Sequence, residues 1–419
     1  MAMKADQVDI AIVGGGLAGG LIALAVHQAD PELRIALIEK GETFGGNHRW
    51  SWFASDLDDA GAALMAEFEQ SKWDAGYDVR FVQHARTLTT GYRSLTSDDF
   101  HSALTELLPD DAVRLNASAA SLDEDGVTLQ SDELFAPRID AKIVIDCRPF
   151  EPSEHLTGGW QIFMGRRMRL IKPHGMTRPI IMDADVNQLS PDGGNGGAFR
   201  FLYSLPVSDD EVFVEDTYYA DEPRIDRDML SSRIDSYCHV AGWQGEEVDR
   251  ETGILPVITG GDFDAYLDSI RIPGVAIAGA RGGFSHPLTS YTVPIAVENA
   301  LAIAGTIARR LENNEIAEFV EFRAQSHWKA TNFYRMLGKM LFGAADPHKR
   351  DTIFAQFYRR PQALVERFYR AQTTWGDKLR ILTGKPPVAI SRAIRALTLR
   401  GNPLKAPAKP KQTDTGETA

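Results

Sequence analysis

Cysteine is nearly absent: Cys147 and Cys238 are the only two in 419 residues. Two thiols so far apart cannot supply a disulfide scaffold, and they suit a reducing cytoplasm. Long apolar runs are scarce as well. Residues 10–26 are almost entirely apolar or glycine, and no other run approaches the roughly 18–20 residues needed to span a bilayer. Asp6 and Asp9 precede that run, where a signal peptide wants positive charge, and glycines crowd its first half. It therefore reads as folded interior and not as an export or anchoring segment. Positive charge is thin over most of the chain. Residues 321–419 hold 19 Lys/Arg against 7 Asp/Glu, residues 1–320 hold 26 against 51, and the net charge is −13. An acidic body argues against a nucleic-acid binder, while the basic C-terminal part is compatible with a patch that meets an anionic membrane surface. With 43% hydrophobic and 25% charged residues, collagen-like, coiled-coil and wholly disordered descriptions are excluded, and the length suggests two or three compact units.

What is present begins with a strand pattern, Asp9-Ile10-Ala11-Ile12-Val13, running into Gly14-Gly15-Gly16-Leu17-Ala18-Gly19. A helical stretch from Leu21 to Gln28 and a second strand from Arg34 to Glu39 follow. Gly14, Gly16 and Gly19 fit G-x-G-x-x-G, in which the glycines permit a tight turn, backbone approach to a pyrophosphate and close helix–strand packing. The helix N-terminus then faces the phosphates, and Glu39 is placed to accept from a ribose hydroxyl. Alone the glycine pattern is weak, but with both strands, the helix and the terminal acid it points to a dinucleotide site. Next comes Gly45-Gly46-Asn47-His48-Arg49-Trp50-Ser51-Trp52-Phe53, a loop suited to close over a cofactor, with Gly46, Asn47 and His48 as candidate contacts. No metal-ligand spacing surrounds His48, and no metal is expected.

A further strand, Lys142 to Cys147, precedes a later strand–loop–helix: Gly274 to Ala278, the loop 280–287, and a helix from Thr292 to about Leu311. This is where a two-nucleotide-domain flavoprotein returns to cover its flavin, so Gly279, Arg281, Gly282, His286 and Pro287 are candidate cofactor contacts. The fold class expected is α/β: a Rossmann-like, glutathione-reductase-type FAD-binding domain, discontinuous over 1–75, 127–150 and 270–312. An antiparallel substrate-binding domain is inserted as 76–126 and 151–269. Its strands are read at Trp160 to Leu170, Ala198 to Leu205 and Glu211 to Tyr219, with residues 192–197 as a connecting loop. Phe199, Phe201 and Tyr203 share one face, Arg200 and Leu202 the other. Residues 313–400 read as helical and basic, and 401–419 as a disordered tail. Stripes at Phe333, Leu337, Met340, Leu341, at Phe354, Phe357, Tyr358, and at Ile390, Ala393, Ile394, Leu397 with Arg392, Arg395 and Arg400 allow two readings. One is packing on the core; the other is contact with a membrane surface.

Four stretches carry a resemblance: DIAIVGGGLAGGLIAL at 9–24, GGNHRWSWF at 45–53, VFVEDTYY at 212–219 and GARGGFSHPLTSYTVPIAVENA at 279–300. With the helical segment 357–388, they make the chain resemble the bacterial lycopene β-cyclases to about Leu399. Ser290 and Tyr291 fall where that family often has a further glycine. The resemblance implies conversion of lycopene to β-carotene by closing a β-ionone ring at each end, without net redox change. It also implies FAD in the reduced form, NADPH or NADH as electron donor, and lycopene or other acyclic carotenoids as substrates. The expected location is cytoplasmic, peripherally on the inner membrane, where such a hydrocarbon resides.

Ring closure needs a proton delivered to a terminal alkene, shelter for the carbocation and removal of another proton. A carboxyl can deliver the first only if burial keeps it protonated near neutrality. Glu215 and Asp216 are adjacent on a strand and so point to opposite faces. The family's acidic motif puts the essential acid at Glu215, with Asp216 in support. Trp160, Phe163, Phe201 and Tyr219 are candidate cation-stabilising faces. Beside this reading stand a flavin monooxygenase or isoprenoid reductase of the same fold, and a prenyl-binding escort protein without flavin.

Overall fold

The computed structural model describes residues 6–132, 136–188, 199–309, 313–345, 350–383, 390–399 and 401–404. The apolar run near the N-terminus divides at its glycines. Asp6–Val13 becomes the middle strand of a seven-stranded sheet, and Leu17–Ala29 a helix packed on it. Asp6–Val13 pairs in parallel with Ile35–Ile38 on one side and Arg138–Asp146 on the other. The far half of Arg138–Asp146 also takes Val275–Ile277 in parallel. Ile10, Ala11 and Ile12 have no exposed surface, as expected of a parallel strand covered on both faces. Helix Val293–Ile307 packs against Leu17–Ala29 over this sheet. Leu311 lies outside the described residues.

Two short strands join this sheet from segments that the sequence assigned to the insertion. Val113–Arg114 pairs in parallel with Ile35–Ile38, and Ala119–Asp123 pairs antiparallel with Gly126–Leu129. At two and five residues, they carry too little pattern to be read as Rossmann strands.

The second sheet has eight strands, and its spine is Gly245–Gly261, Ser153–Leu170, Glu211–Ala220 and Arg200–Pro206, all antiparallel. Its two faces meet different partners. Val214 and Leu202 join the interior shared with helix Arg227–Val240, while Phe201 and Phe213 face a second cluster that includes Phe199, Tyr358 and Tyr369. The alternation read for Phe199, Phe201 and Tyr203 therefore holds. Residues 192–197 lie outside the described residues.

The C-terminal helices split between the two readings of their stripes. Phe333, Leu337, Phe354 and Phe357 pack inward, and Tyr358 has no exposed surface. In Trp375–Leu382 and Ile390–Thr398, Trp375, Leu379, Leu382, Ile394 and Leu397 are exposed, whereas Ala393 and Ala396 are buried. No helix among the described residues is long and apolar enough to cross a membrane. The tail expected to be disordered is ordered at its start. Pro403–Leu404 pairs with Ser153–Leu170, Leu404 is fully buried, and Asn402 O accepts from Gly158 N at 2.9 Å. The first residues of Ser153–Leu170 have a free edge there, and the passing backbone satisfies it. Arg400 and residues 405–419 lie outside the described residues.

Candidate active site

The glycine turn sits where the central strands end. Gly14 has φ +103°, and a Cβ there would lie 2.6 Å from Cys147 O, so the position admits only glycine. Gly19 rests against the Gly14 carbonyl. A Cβ on Gly16 would meet nothing within 4 Å, and helix Leu17–Ala29 has no side-chain cap. Open space thus faces unpaired N–H groups at a helix start. The Glu39 carboxylate accepts from Gly15 N and Gly41 N, both at 2.8 Å, which fixes its aim while leaving lone pairs for another donor.

The later loop reaches the same place. Gly279 has φ +64°, and a Cβ there would lie 3.0 Å from the Ala18 Cβ. Arg281 and His286, nominated as cofactor contacts, turn elsewhere. Arg281 is buried, with Nε 3.3 Å from the fully buried Asp146 and Nη1 3.0 Å from Glu151. It braces two strand ends, giving Asp146, which has no exposed surface, a second cationic partner besides Arg148 at 2.7 Å. His286 accepts from Leu288 N at Nδ1 (3.3 Å) and donates from Nε2 to Phe368 O at 3.1 Å. Burial pushes its pKa down to about 3, so the imidazole is neutral. It ties the loop to helix Gln362–Tyr369. Gly282 and Pro287 lie in the same loop, Pro287 buried.

Residues from His48 to Phe53, residues 289–293 and the second sheet line a cavity of ≈ 230 Å³. His48, Arg49, Phe163, Tyr203, Tyr291 and Glu215 line it, and Glu215 is the acid among its described lining residues. Asn47 donates to Arg250 O at 2.8 Å, and His48 is exposed. The Glu215 carboxyl accepts from the Thr217 hydroxyl at 2.6 Å. Burial raises its pKa to about 7, against the lowering pull of Thr217 and Arg49, and Asp216 adds to the rise. Asp216 points to the opposite face, has no exposed surface and pairs with Arg200 at 2.6 and 3.1 Å. The two adjacent acids therefore do not share a site.

Of the four aromatics nominated as cation shelter, Phe163 lines the cavity. Trp160, Phe201 and Tyr219 pack in the cores. Tyr203, Tyr92 and Tyr369 take their place in the wall. Tyr203 stands opposite Glu215 in register and was discoverable from the hairpin. Tyr92 and Tyr369 come from distant segments and carry no local signal. Ser290, where the family often has glycine, has φ +55°, and its hydroxyl donates to Pro256 O at 2.7 Å. That bond offsets the cost, about 1 kcal/mol or more, of a left-handed non-glycine residue.

A family profile described as "Lycopene cyclase protein" matches residues 9–395. The chain belongs to the lycopene cyclase family. Among curated members, it is 40% identical to the lycopene beta-cyclase of Pseudescherichia vulneris over 93% of this chain and 96% of that protein. It is 37% identical to that of a Paracoccus strain over 94% and 97%. The cyclase fold also matches solved structures of low identity. A geranylgeranyl bacteriochlorophyll reductase-like protein from Thermoplasma acidophilum superposes with TM-score 0.60, 14% identity and coverage of 94% and 99%. The p-nitrophenol 4-monooxygenase of Pseudomonas putida superposes with TM-score 0.59, 13% identity and coverage of 88% and 99%. These two likenesses concern fold alone: a Rossmann-like α/β unit carrying an antiparallel sheet, as expected from the sequence.

Proposed function

We propose that this member of the lycopene cyclase family closes β-rings on lycopene at the Glu215 cavity, with Glu215 as the proton donor. Cyclisation of lycopene follows from membership and from the close bacterial relatives. The observation that carries the site is a carboxyl whose pKa burial lifts to about 7, opening on an aromatic-walled cavity. The neutral Glu215 carboxyl gives its proton to the terminal alkene. The cation that forms is attacked by the neighbouring double bond, which closes a six-membered ring. Loss of a ring proton restores neutrality, so atoms and charge balance with no change of oxidation state. Tyr203, Phe163 and Tyr369 exclude water and offer π-faces, each worth about 0.5–2 kcal/mol to a cation.

The fit to FAD rests on the open space at Gly16 facing an uncapped helix start. Gly14, Gly16 and Gly19 would receive the pyrophosphate and Glu39 a ribose hydroxyl. Gly46, Asn47, His48, Gly279, Gly282 and Pro287 would border the remainder. Arg281 and His286 hold their loop in shape. Reduced flavin, when bound, would supply an electron-rich, anionic neighbour to the cation, with NADPH or NADH as source of the electrons.

The test is expression in a lycopene-accumulating bacterium, followed by pigment analysis. Bicyclic product is expected, without oxygen uptake or stoichiometric nucleotide consumption. Persistence of lycopene would overturn the reading.

Peripheral attachment to the inner membrane from the cytoplasmic side is supported by the exposed Trp375, Leu379, Leu382, Ile394 and Leu397 within the basic segment. Arg392→Glu with Arg395→Glu is expected to weaken binding to anionic liposomes in flotation by more than about tenfold, each charge near the surface being worth about 1 kcal/mol. Equal flotation of variant and parent would remove this role.

A further inference from the structure

Ring closure ends on a cation that must lose a ring proton, and that proton needs an acceptor beside an aromatic-walled cavity. Of the acids about the cavity, Asp216 is held by Arg200 on the far face of the sheet. Glu251 lies opposite Gly165, as Glu215 does from the other side. Burial, then Glu215, pushes the Glu251 carboxyl up to about 8, so at neutrality it keeps its own proton and cannot take another. Asp56 is in a different position.

Asp56 ends the short turn Ala54–Asp56, directly after the strand Arg49–Phe53 whose residues line the Glu215 cavity. It is 2% exposed and borders a second cavity, of ≈ 860 Å³. Tyr291 and Tyr369 line both cavities. The Tyr369 hydroxyl is bonded to that of Tyr358, whereas the Tyr291 hydroxyl donates to Asp56 Oδ2. The Phe53 N–H is shared between Asp56 Oδ2 at 3.2 Å and the Tyr291 hydroxyl at 3.3 Å, which fixes both groups. Asp56 Oδ1 has no hydrogen-bond partner among the described residues. A phenol shared by the two cavities thus leads to a carboxylate that borders only the larger one.

Burial pushes the Asp56 carboxyl up to about 6, against the lowering pull of Tyr291, the Phe53 N–H and Arg370. At neutral pH it is ionised, yet a better proton acceptor than an exposed aspartate. Burial and the Asp56 charge hold the Tyr291 hydroxyl well above its ordinary value. It does not rest as a phenolate, and it passes a proton on only as it takes one up. Arg370 and Glu366 bring opposite charges to Asp56, while burial keeps Tyr77 and Tyr92 neutral. Across the larger cavity Glu298 pairs with Arg323 at 2.9 Å, Asp58 accepts from Gly61 N at 2.8 Å, and burial lowers His327.

We propose that the Tyr291 hydroxyl accepts the ring proton as it hands its own to Asp56, so that this pair carries the proton out of the Glu215 cavity. This rests on Glu215 being the donor. One ring C–H bond breaks, and its electron pair becomes the ring double bond. At Tyr291 one O–H bond forms and one breaks, and an O–H bond forms on Asp56. The charge of the cation and that of the carboxylate cancel, with no change of oxidation state. Asp56 then releases the proton on the side of the larger cavity.

The experiment follows β-ring formation and pigment composition against pH in flavin-loaded, reduced enzyme with lycopene in liposomes. The parent rate should fall as pH drops through about 6, where Asp56 takes up a proton. Asp56→Asn and Tyr291→Phe should each lower β-ring formation by about 10²-fold and abolish that low-pH limb. Both should also yield rings with the double bond at another position, or rings that carry a hydroxyl from water, as the cation finds other exits. The double variant should be no slower than the slower single one, since one route is cut twice. Tyr291→Phe removes a single oxygen and keeps the test open where Asp56→Asn folds poorly. A low-pH limb and a pigment composition unchanged in both single variants overturn the proposal and return the proton to the Glu215 carboxylate. Losses that add in the double variant overturn it as well. Cyclisation surviving in Glu215→Gln would instead overturn the assignment of the donor.

Discussion

Replacement of Glu215 by Gln is expected to lower β-ring formation by about 10²–10⁴-fold, the range typical of losing a positioned acid. The same change should make the protein more stable at neutral pH. The Glu215 carboxyl titrates at about 7 in the fold against an ordinary 4.5, so between those values the folded state binds more protons than the unfolded chain. Stability therefore falls as pH rises across that window and stays lower above it. Glutamine does not titrate and escapes the fall, a gain on the order of 3 kcal/mol at most. The melting temperature of Glu215→Gln should accordingly exceed that of the parent more at pH 8 than at pH 5. An equal difference at the two pH values would mean that the carboxyl is not held neutral by burial. Activity lost together with stability gained is the signature of a group placed for chemistry at the expense of the fold.

Arg200→Leu is expected to be the most destabilising change in the second sheet. Arg200 is buried, and its guanidinium closes on Asp216, which has no exposed surface, while also donating to Asn187 O at 3.1 Å. Removing the cation strands a buried carboxylate, which costs roughly 3–5 kcal/mol. Adding Asp216→Leu should recover most of that loss, since an apolar pair of similar volume replaces the ion pair. Chemical denaturation of the single and double variants reads this directly. Because Asp216 faces away from the cavity, the double variant should retain cyclisation per folded molecule. A loss matching that of Glu215→Gln would give Asp216 a role in the chemistry that its geometry does not suggest.

The frame of the nucleotide unit was legible because its signals are local. Strand, glycine turn, helix and acid lie within residues 9–39, and each glycine answers to a steric demand of its own turn. Alternation along one strand separates Glu215 from Asp216, but it does not say which of them meets the cavity; that choice came from the resemblance of VFVEDTYY to the family's acidic motif. The cavity's remaining chemistry depends on residues brought together from afar. Glu251 meets Glu215 only through the register of two long strands on Gly165, and strand register does not appear in a linear pattern. Arg281 and His286 show the reverse case. Their motif is local, but their side chains obey the need to satisfy Asp146 and the Phe368 carbonyl. The disordered tail was inferred from composition, yet a free strand edge outweighs composition for Pro403–Leu404.

The hydrogen bond from His286 to the Phe368 carbonyl makes the outer helices and the loop beside the cavity one mechanical unit. The chain end of Gln362–Tyr369 cannot swing without tugging that loop. Acid is the natural solvent for this rivet. An imidazole whose proton affinity is depressed in the fold gives its full support above about pH 6.5 and loses it as pH drops toward about 3. Mild acidification should therefore loosen the loop and its helix together and leave the parallel sheet in place.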